Sequence, residues 1–508
     1  MRGLLCPLCS NAGNATAELY TNRKEAQGAR LMALNAPIRQ LPATLRGETG
    51  ALLALGGPMA LTQIISFSIY TIDTIMIGRL GTEALAAAAV GTVIYFLLWM
   101  IGAGPASAVT PMVSQAIGTT LGDSSSDARR DARRSVRMAL WLVAMLTVPM
   151  FAALFATRDV LVFFGQDPQV SAMAQTYVMA LAPGLPFAIG VMVLRNFLAA
   201  LNKTMMPLLI VSLTVIINAA LNAVLIFGLL GAPALGIVGA GIASSIAYAL
   251  CFTMLGLYVS YDRDAHVFEI FRNIFTFDRE RFSELVKLAW PISVTTLFEG
   301  MLFNAAALVM GAIGVRELAA YQVGLNVASM AFMLPFGFAM AGATRIGLAE
   351  GAGNSPARMR AAQATMLIAV GGMAVIAVIV ALFPMPIAHI YMRPDEPENL
   401  ATIALILGFL PIAAAFMVVD AIQVAANQLL RGLKDVTAPM IITGVSFWVI
   451  GFPACYILAF HTSFGANGVW YGLMIGLTAA FIGLGTRLWQ QLRRPPAPPT
   501  LMASAPAP

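Results

Sequence analysis

The chain has 508 residues, 59% of them hydrophobic and only 11% charged, with a mean hydropathy of +0.81. Soluble domains carry about a quarter charged residues, so a soluble enzyme or scaffold is excluded and an integral membrane protein is implied. The net charge of +6 could suggest nucleic acid as a partner, but its placement along the chain makes it a topology signal instead.

Residues 1–49 are polar and mixed in charge, and are expected to form a disordered cytoplasmic extension. Met32 is a candidate alternative start, which would leave residues 1–31 outside the native protein. The MRGLLC opening lacks the apolar region of a signal peptide. Cys6 and Cys9 make a CxxC with neither a second pair nor a nearby His to complete a zinc site. Cys251 and Cys455 fall inside apolar runs, so there is no disulfide framework.

Apolar runs near or above the roughly 20 residues that span hydrocarbon predict an all-α polytopic protein of twelve transmembrane helices. They cover 51–78, 85–117, 138–157, 174–201, 207–228 and 239–260, then 289–314, 318–347, 364–391, 400–431, 440–460 and 469–491. These form an N-lobe (50–260) and a C-lobe (288–492), joined by a cytoplasmic connector (261–287) whose amphipathic FEIFRNIFTFDRERFSELVKL suits the membrane interface. The Pro/Ala-rich tail, 493–508, is expected to be disordered.

The two lobes are copies of one unit. A shift of 233 positions lays Pro58 on Pro291, Gly78 on Gly311, Gly81 on Gly314, Leu85-Ala86-Ala87 on Leu318-Ala319-Ala320, and Val90-Gly91 on Val323-Gly324. The same register pairs Gly104 with Gly337 and Gly118 with Gly351. Six helices per copy give both copies one orientation, with a pseudo-twofold axis along the membrane normal, as in transporters built from parallel repeats. With both termini cytoplasmic, only Arg79, Arg158, Arg316 and Arg393 of the 30 Lys and Arg fall outside, which satisfies the positive-inside rule. Many of the inner ones lie in the 118–137 loop, DARRDARRSVR.

Three acids sit well inside predicted spans: Asp73 in the first helix, Glu299 in the seventh and Asp420 in the tenth. A charge at the bilayer centre costs about 2.5–3.5 kcal/mol on insertion scales, so each should face a cavity or a partner. No basic residue is placed at comparable depth, which leaves them either protonated or neutralised by a cation. A protonated acid held by hydrogen bonds for packing is the bland alternative. Amides recur at helical spacing around them: Asp420, Gln423 and Asn427 on one stripe, Asn218 with Asn222, and Gln322 with Asn326. Their oxygens can ligate a hard cation such as sodium, or equally serve as interhelical hydrogen bonds. Sodium is a candidate at Glu299 and Asp420. Phe303 lies one turn after Glu299, and Phe332 occupies the repeat position of Trp99. Such rings can hold a lipophilic cation or simply fill the core. With Gln322, Asn326, Gln423 and Asn427 they make up the candidate substrate pocket, and the 29 methionines would suit an adaptable one.

No GxxxxGK[ST] phosphate loop is present, and His266, His389 and His461 are too scattered for a metal centre. No nucleophile–base constellation stands out, so no enzyme, cofactor or obligate protein partner is expected.

Several segments together, over about residues 50–490, make the chain resemble the MATE (multidrug and toxic compound extrusion) transporters, especially the NorM-type bacterial branch. They are YTIDTIMIGRLG (70–81), NAALNAVLIFG with PALGIVGAGIAS (218–244), LFEGMLFNAAALVMGAIG (297–314), AAYQVGLNVASMAFMLPFGFAMAGATRIGLAEGAGN (319–354), VVDAIQVAANQLLRGLKD (418–435), and FWVIGFPACYILAF with GANGVW (447–470). The resemblance implies an antiporter of the inner membrane with two six-helix lobes around a V-shaped cleft. It would expel amphipathic, often cationic drugs against inward sodium or protons. It also implies cation-coupling roles for Asp73, Asn218, Asn222, Glu299 and Asp420. A related branch has Asp where this chain has Asn222, so an N-lobe site here would hold one carboxylate fewer. A lipid-linked oligosaccharide flippase of the same superfamily is the alternative.

Overall fold

The computed structural model describes residues 41–119, 125–231 and 233–496. The expectations for Met32, the Cys6–Cys9 pair, most of the N-terminal extension and most of the tail lie outside these residues.

Twelve helices are long and apolar enough to cross a membrane. We number them α1 (Leu45–Gly78), α2 (Thr82–Thr119), α3 (Ala128–Phe155), α4 (Pro168–Ala200), α5 (Met205–Phe227), α6 (Gly236–Tyr261), α7 (Arg279–Ile313), α8 (Val315–Gly351), α9 (Ser355–Leu382), α10 (Asn399–Gly432), α11 (Thr437–Phe460) and α12 (Ala466–Arg493). No strand occurs among the described residues. The start of α1, the connector and the end of α12 lie at the same end of this alternating bundle, the connector end.

Helix boundaries depart from the expected ones where charge obscured them. The Arg-rich stretch expected as a loop is helical from Ser125 onward, because Ala and Arg are strong helix formers and apolarity is not required there. Likewise α7 begins at Arg279, inside the expected connector, capped by the Asp278 carboxylate on the Arg281 amide. The ninth helix runs nine residues earlier than expected, from an Asn354 cap to Leu382, and Pro384 opens a separate short helix to Tyr391. In α4, Ala182-Pro183-Gly184 forms a 3₁₀ turn, and α11 carries a π-helical stretch, Val445–Gly451. Both irregularities are tolerated because neighbouring helices shield the backbone.

Each copy of the repeat has its own core. In the C-lobe it is built on Trp470, fully buried against Tyr321, Phe409 and Phe416 at centroid distances of 5.2, 6.4 and 5.6 Å. In the N-lobe, residues of α2 to α6 pack around buried Val109, Met112, Leu194 and Phe197. The first helix of the second repeat crosses between cores. Leu285, Leu288 and Ile292 of α7 join the N-lobe core, while Leu302, Ala306 and Met310 of the same helix join the C-lobe core.

The lobes meet through repeat-related contacts. A Cβ on Gly104 would stand 2.4 Å from the Ala289 carbonyl oxygen and 2.1 Å from Ser293 Oγ, and one on Gly337 would stand 2.3 Å from Ala60 Cα. Gly104 and Gly337 are repeat equivalents, as are Ala60 and Ser293, so α2 presses on α7 as α8 presses on α1. Thr62 and Thr295, also equivalents, each donate to the carbonyl of a mid-helix proline, Pro58 at 2.6 Å and Pro291 at 2.8 Å. Such back-bonding bends helices.

Candidate functional site

Helical spacing puts Asn218 and Asn222 on one face of α5, both fully buried. The small residues that open α6 let it lie directly on that helix: a Cβ on Gly239 would stand 2.4 Å from the Leu225 carbonyl oxygen. This brings in a residue that sequence reasoning missed, Ser244. It donates to Asp73 Oδ2 at 2.7 Å and accepts from Asn218 Nδ2 at 3.1 Å. Asn222 Nδ2 donates to Asp73 Oδ1 at 2.5 Å and to Asn218 Oδ1 at 3.3 Å. Asp73 is 7% exposed, and both its oxygens accept a hydrogen bond. No sequence signal separates Ser244 from Ser245, whose hydroxyl goes instead to the backbone carbonyls of Ala180 and Leu181.

The C-lobe acids are arranged differently. Asp420, Gln423 and Asn427 are buried along α10, at 6%, 0% and 2% exposure. Yet Asp420 Oδ1, both side-chain polar atoms of Gln423 and Asn427 Oδ1 have no hydrogen-bond partner. Buried polar atoms are rarely left so. Glu299 is half-buried on α7 and lies within electrostatic reach of Asp420. Arg431, four residues beyond Asn427 on the same stripe, lies in the last turn of α10 at the connector end and is buried. The three oxygens among these four unpartnered polar atoms, one of them from the Asp420 carboxylate, form a set suited to a hard cation or to water.

The remaining candidates divide. Phe303 belongs to the aromatic core, edge-to-face with Phe416 at 5.9 Å, and its carbonyl accepts from Tyr321 at 3.2 Å. Phe332 stacks on Phe336 at 5.4 Å. Its neighbours Met330 and Met333 line a cavity of about 310 Å³ with Ile64, Phe67, Ser68, Thr71 and Ile72 of α1. Gln322 and Asn326 are exposed, and the Tyr391 hydroxyl donates to Asn326 Oδ1 at 2.8 Å.

Twelve apolar helices in two related lobes, with acids and amides buried inside each, define a multi-pass membrane protein of internal-repeat architecture. The MatE family model matches it twice, over residues 58–224 and 291–457, segments that begin 233 positions apart (291 − 58). The chain belongs to the MatE family.

It is 41% identical over 454 residues to the probable multidrug resistance protein NorM of Rhizobium meliloti, covering 88% of this chain and 95% of that one. It is 36% identical over 472 residues to the protein of the same name from Mesorhizobium japonicum, covering 93% and 99%. Among solved structures, a MATE in the straight conformation superposes with a TM-score of 0.79 at 20% identity, covering 89% of this chain and 98% of that one. The eukaryotic MATE transporter AtDTX14 does so at 0.76 and 20%, covering 88% and 98%. These two likenesses establish the fold.

Proposed function

We propose that the chain is a secondary active antiporter of the bacterial inner membrane. It exports amphipathic, often cationic drugs or toxins in exchange for inward sodium or protons, by alternating access of its two lobes. The names of its NorM relatives support multidrug efflux, and the distribution of Lys and Arg supports a cytoplasmic connector end with both termini inside.

The observation that carries coupling is the unpartnered stripe Asp420–Gln423–Asn427, whose Asp420 lies within electrostatic reach of Glu299. In this reading the coupling cation loads in the C-lobe. Asp73, Asn218, Asn222 and Ser244 form a second N-lobe site, its carboxylate hydrogen-bonded at both oxygens and Asn222 Oδ1 left without a partner, that receives a proton or stabilises the lobe. The methionine-rich cavity between α1 and α8 suits the apolar body of a drug. Each net inward charge supplies about 2.3 kcal/mol per 100 mV, more than the roughly 1.4 kcal/mol of a tenfold gradient of a neutral drug; export of a monovalent cation needs a second inward cation or the coupling ion's own concentration gradient.

The test is ethidium efflux from proteoliposomes under a sodium gradient or a pH gradient imposed separately. Efflux under either one, abolished by Glu299→Gln and Asp420→Asn in protein that accumulates normally, is the expected result. Full efflux in both variants would overturn the assignment of these acids. No efflux from the wild type under either gradient would turn attention to flipping of a lipid-linked sugar.

A further inference from the structure

The connector end of the bundle carries two ion pairs that the coupling site does not use. Arg345 on α8 grips Glu48 on α1 through two hydrogen bonds, Nε to Oε1 and Nη2 to Oε2, both 2.7 Å. The pair joins the two lobes across 297 positions of sequence, and the side chains are only 4% and 2% exposed. The repeat equivalent of Glu48, 233 positions on, is Arg281. It stands at the corresponding place on α7, buried, and pairs with Asp131 of α3 at 2.7 Å. The first helix of each repeat therefore carries a charge at the same position, opposite in sign, and each pairs with the other lobe, although Arg281 also pairs with Glu284 of its own helix at 2.7 Å and its partner Asp131 is part-exposed. Between them α2 and α8 cross at their own equivalents. A Cβ on Gly347 would stand 2.1 Å from Ser114 Oγ, one on Gly351 2.0 Å from the Gln115 carbonyl oxygen, and one on Gly118 2.4 Å from that of Leu348. The Gln115 amide reaches across to the Gly432 carbonyl at 2.9 Å.

We propose that Glu48–Arg345 and Arg281–Asp131 form a two-sided ionic clasp. It holds the lobes shut at the connector end and is hydrated when they part. The inference rests on the rocking-lobe reading above and adds to it the side chains that set the closed state. The physical argument is one of reversibility. A buried pair contributes little net stability, because the attraction is offset by the water both ions gave up. On opening, both regain that water, so this seal costs less to separate than a wholly apolar one of equal area. Removing Glu48 leaves Arg345 buried and unpaired, which disfavours the closed state specifically; removing Asp131 leaves Arg281 with Glu284, a smaller penalty.

The test uses full-length protein in lipid nanodiscs, with the four native cysteines replaced by Ala and Ser114→Cys as the probe. Ser114 is fully buried where the lobes cross, so a hydrophilic maleimide reaches it only when the connector end opens. Glu48→Gln is expected to raise the labelling rate roughly tenfold, the response of a two-state equilibrium shifted by about 1.4 kcal/mol, and Asp131→Asn to raise it by less, since Arg281 keeps Glu284. The reciprocal exchange Glu48→Arg with Arg345→Glu is expected to bring labelling back near the parent rate. Arg345→Lys, which keeps the charge but loses the two-pronged geometry, should fall between. Labelling unchanged by Glu48→Gln in a parent that does label would show the pair to be a fixed anchor and overturn the clasp. The clasp is equally overturned if Glu48→Gln fails to accumulate while Arg345→Lys labels like the parent. A parent that never labels, at any sodium, pH or ethidium concentration, would instead overturn the rocking-lobe reading.

Discussion

Ser244 donates to Asp73 while accepting from Asn218, so one hydroxyl links the acid of α1 to the amide face of α5. Truncating it in Ser244→Ala removes one of the two hydrogen bonds on the Asp73 carboxyl and strands the Asn218 amide. Hydrogen bonds to charged groups contribute roughly 1.5–3 kcal/mol. The expected result is a tenfold or greater rise in the cation concentration needed for half-maximal ethidium efflux, with little change in maximal rate. Ser245→Ala, one residue on, should leave that concentration unchanged, and equal effects at the two serines would argue against a specific N-lobe role.

Gln423 separates sodium from protons. A sodium site needs several oxygens around the carboxylate, whereas a proton site needs the carboxylate alone. If sodium couples, Gln423→Leu should cut sodium-driven efflux by about tenfold or more, in line with the loss of one ligand to a charged group, and leave pH-driven efflux in place. If protons couple, the same variant should transport normally, since it replaces an unpartnered buried amide by an apolar side chain of similar volume.

Asp278 caps α7 and pairs with Arg134. Burial raises its pKa, but the Arg134 hydrogen bond and the Arg281 backbone amide outweigh that and hold it below the usual aspartate value. With a native pKa below the unfolded one, the stability this carboxylate contributes is fully present above about pH 4. It is lost as pH falls through the native value. Asp278→Asn keeps a good cap and removes only the charge, so its thermal midpoint should lie below wild type at pH 7 and converge with it on acidification. Asp278→Ala should stay lower throughout, by about 1 kcal/mol for the lost cap.

Trp470 is the packing centre of the C-lobe. Trp470→Ala should cost about 3–5 kcal/mol and appear as loss of monodisperse protein after mild heating in detergent. Phe303→Leu, which trims one edge of the same cluster, should cost less than about 1.5 kcal/mol. If Phe303→Leu also altered which drugs are exported while stability held, Phe303 would belong to the substrate pocket as well as to the core.

Much of this protein is legible in its sequence. Twelve spans follow from the length of apolar runs, because a bilayer imposes one thickness on every crossing helix. The repeat follows from a register held over Pro58/Pro291 and Gly104/Gly337, and the alignment of Asn218 with Asn222, or of Asp420 with Asn427, follows from 3.6 residues per turn. What periodicity cannot give is which face meets which. Ser244 on Asp73 and Arg345 on Glu48 join residues on different helices, and their meeting depends on how each helix is rotated and how closely its small residues let it approach a neighbour. The helix starts at Ser125, Arg279 and Ser355 escape hydropathy for a related reason: outside the hydrocarbon a helix is held by caps and ion pairs, and apolarity does not register those. The sequence alone determined how many helices cross and which residues share a face, since both are properties of one segment in one solvent. Only the tertiary structure decided that the N-lobe acid is fully bonded and the C-lobe stripe is not, because satisfying a buried polar atom takes a partner from another helix.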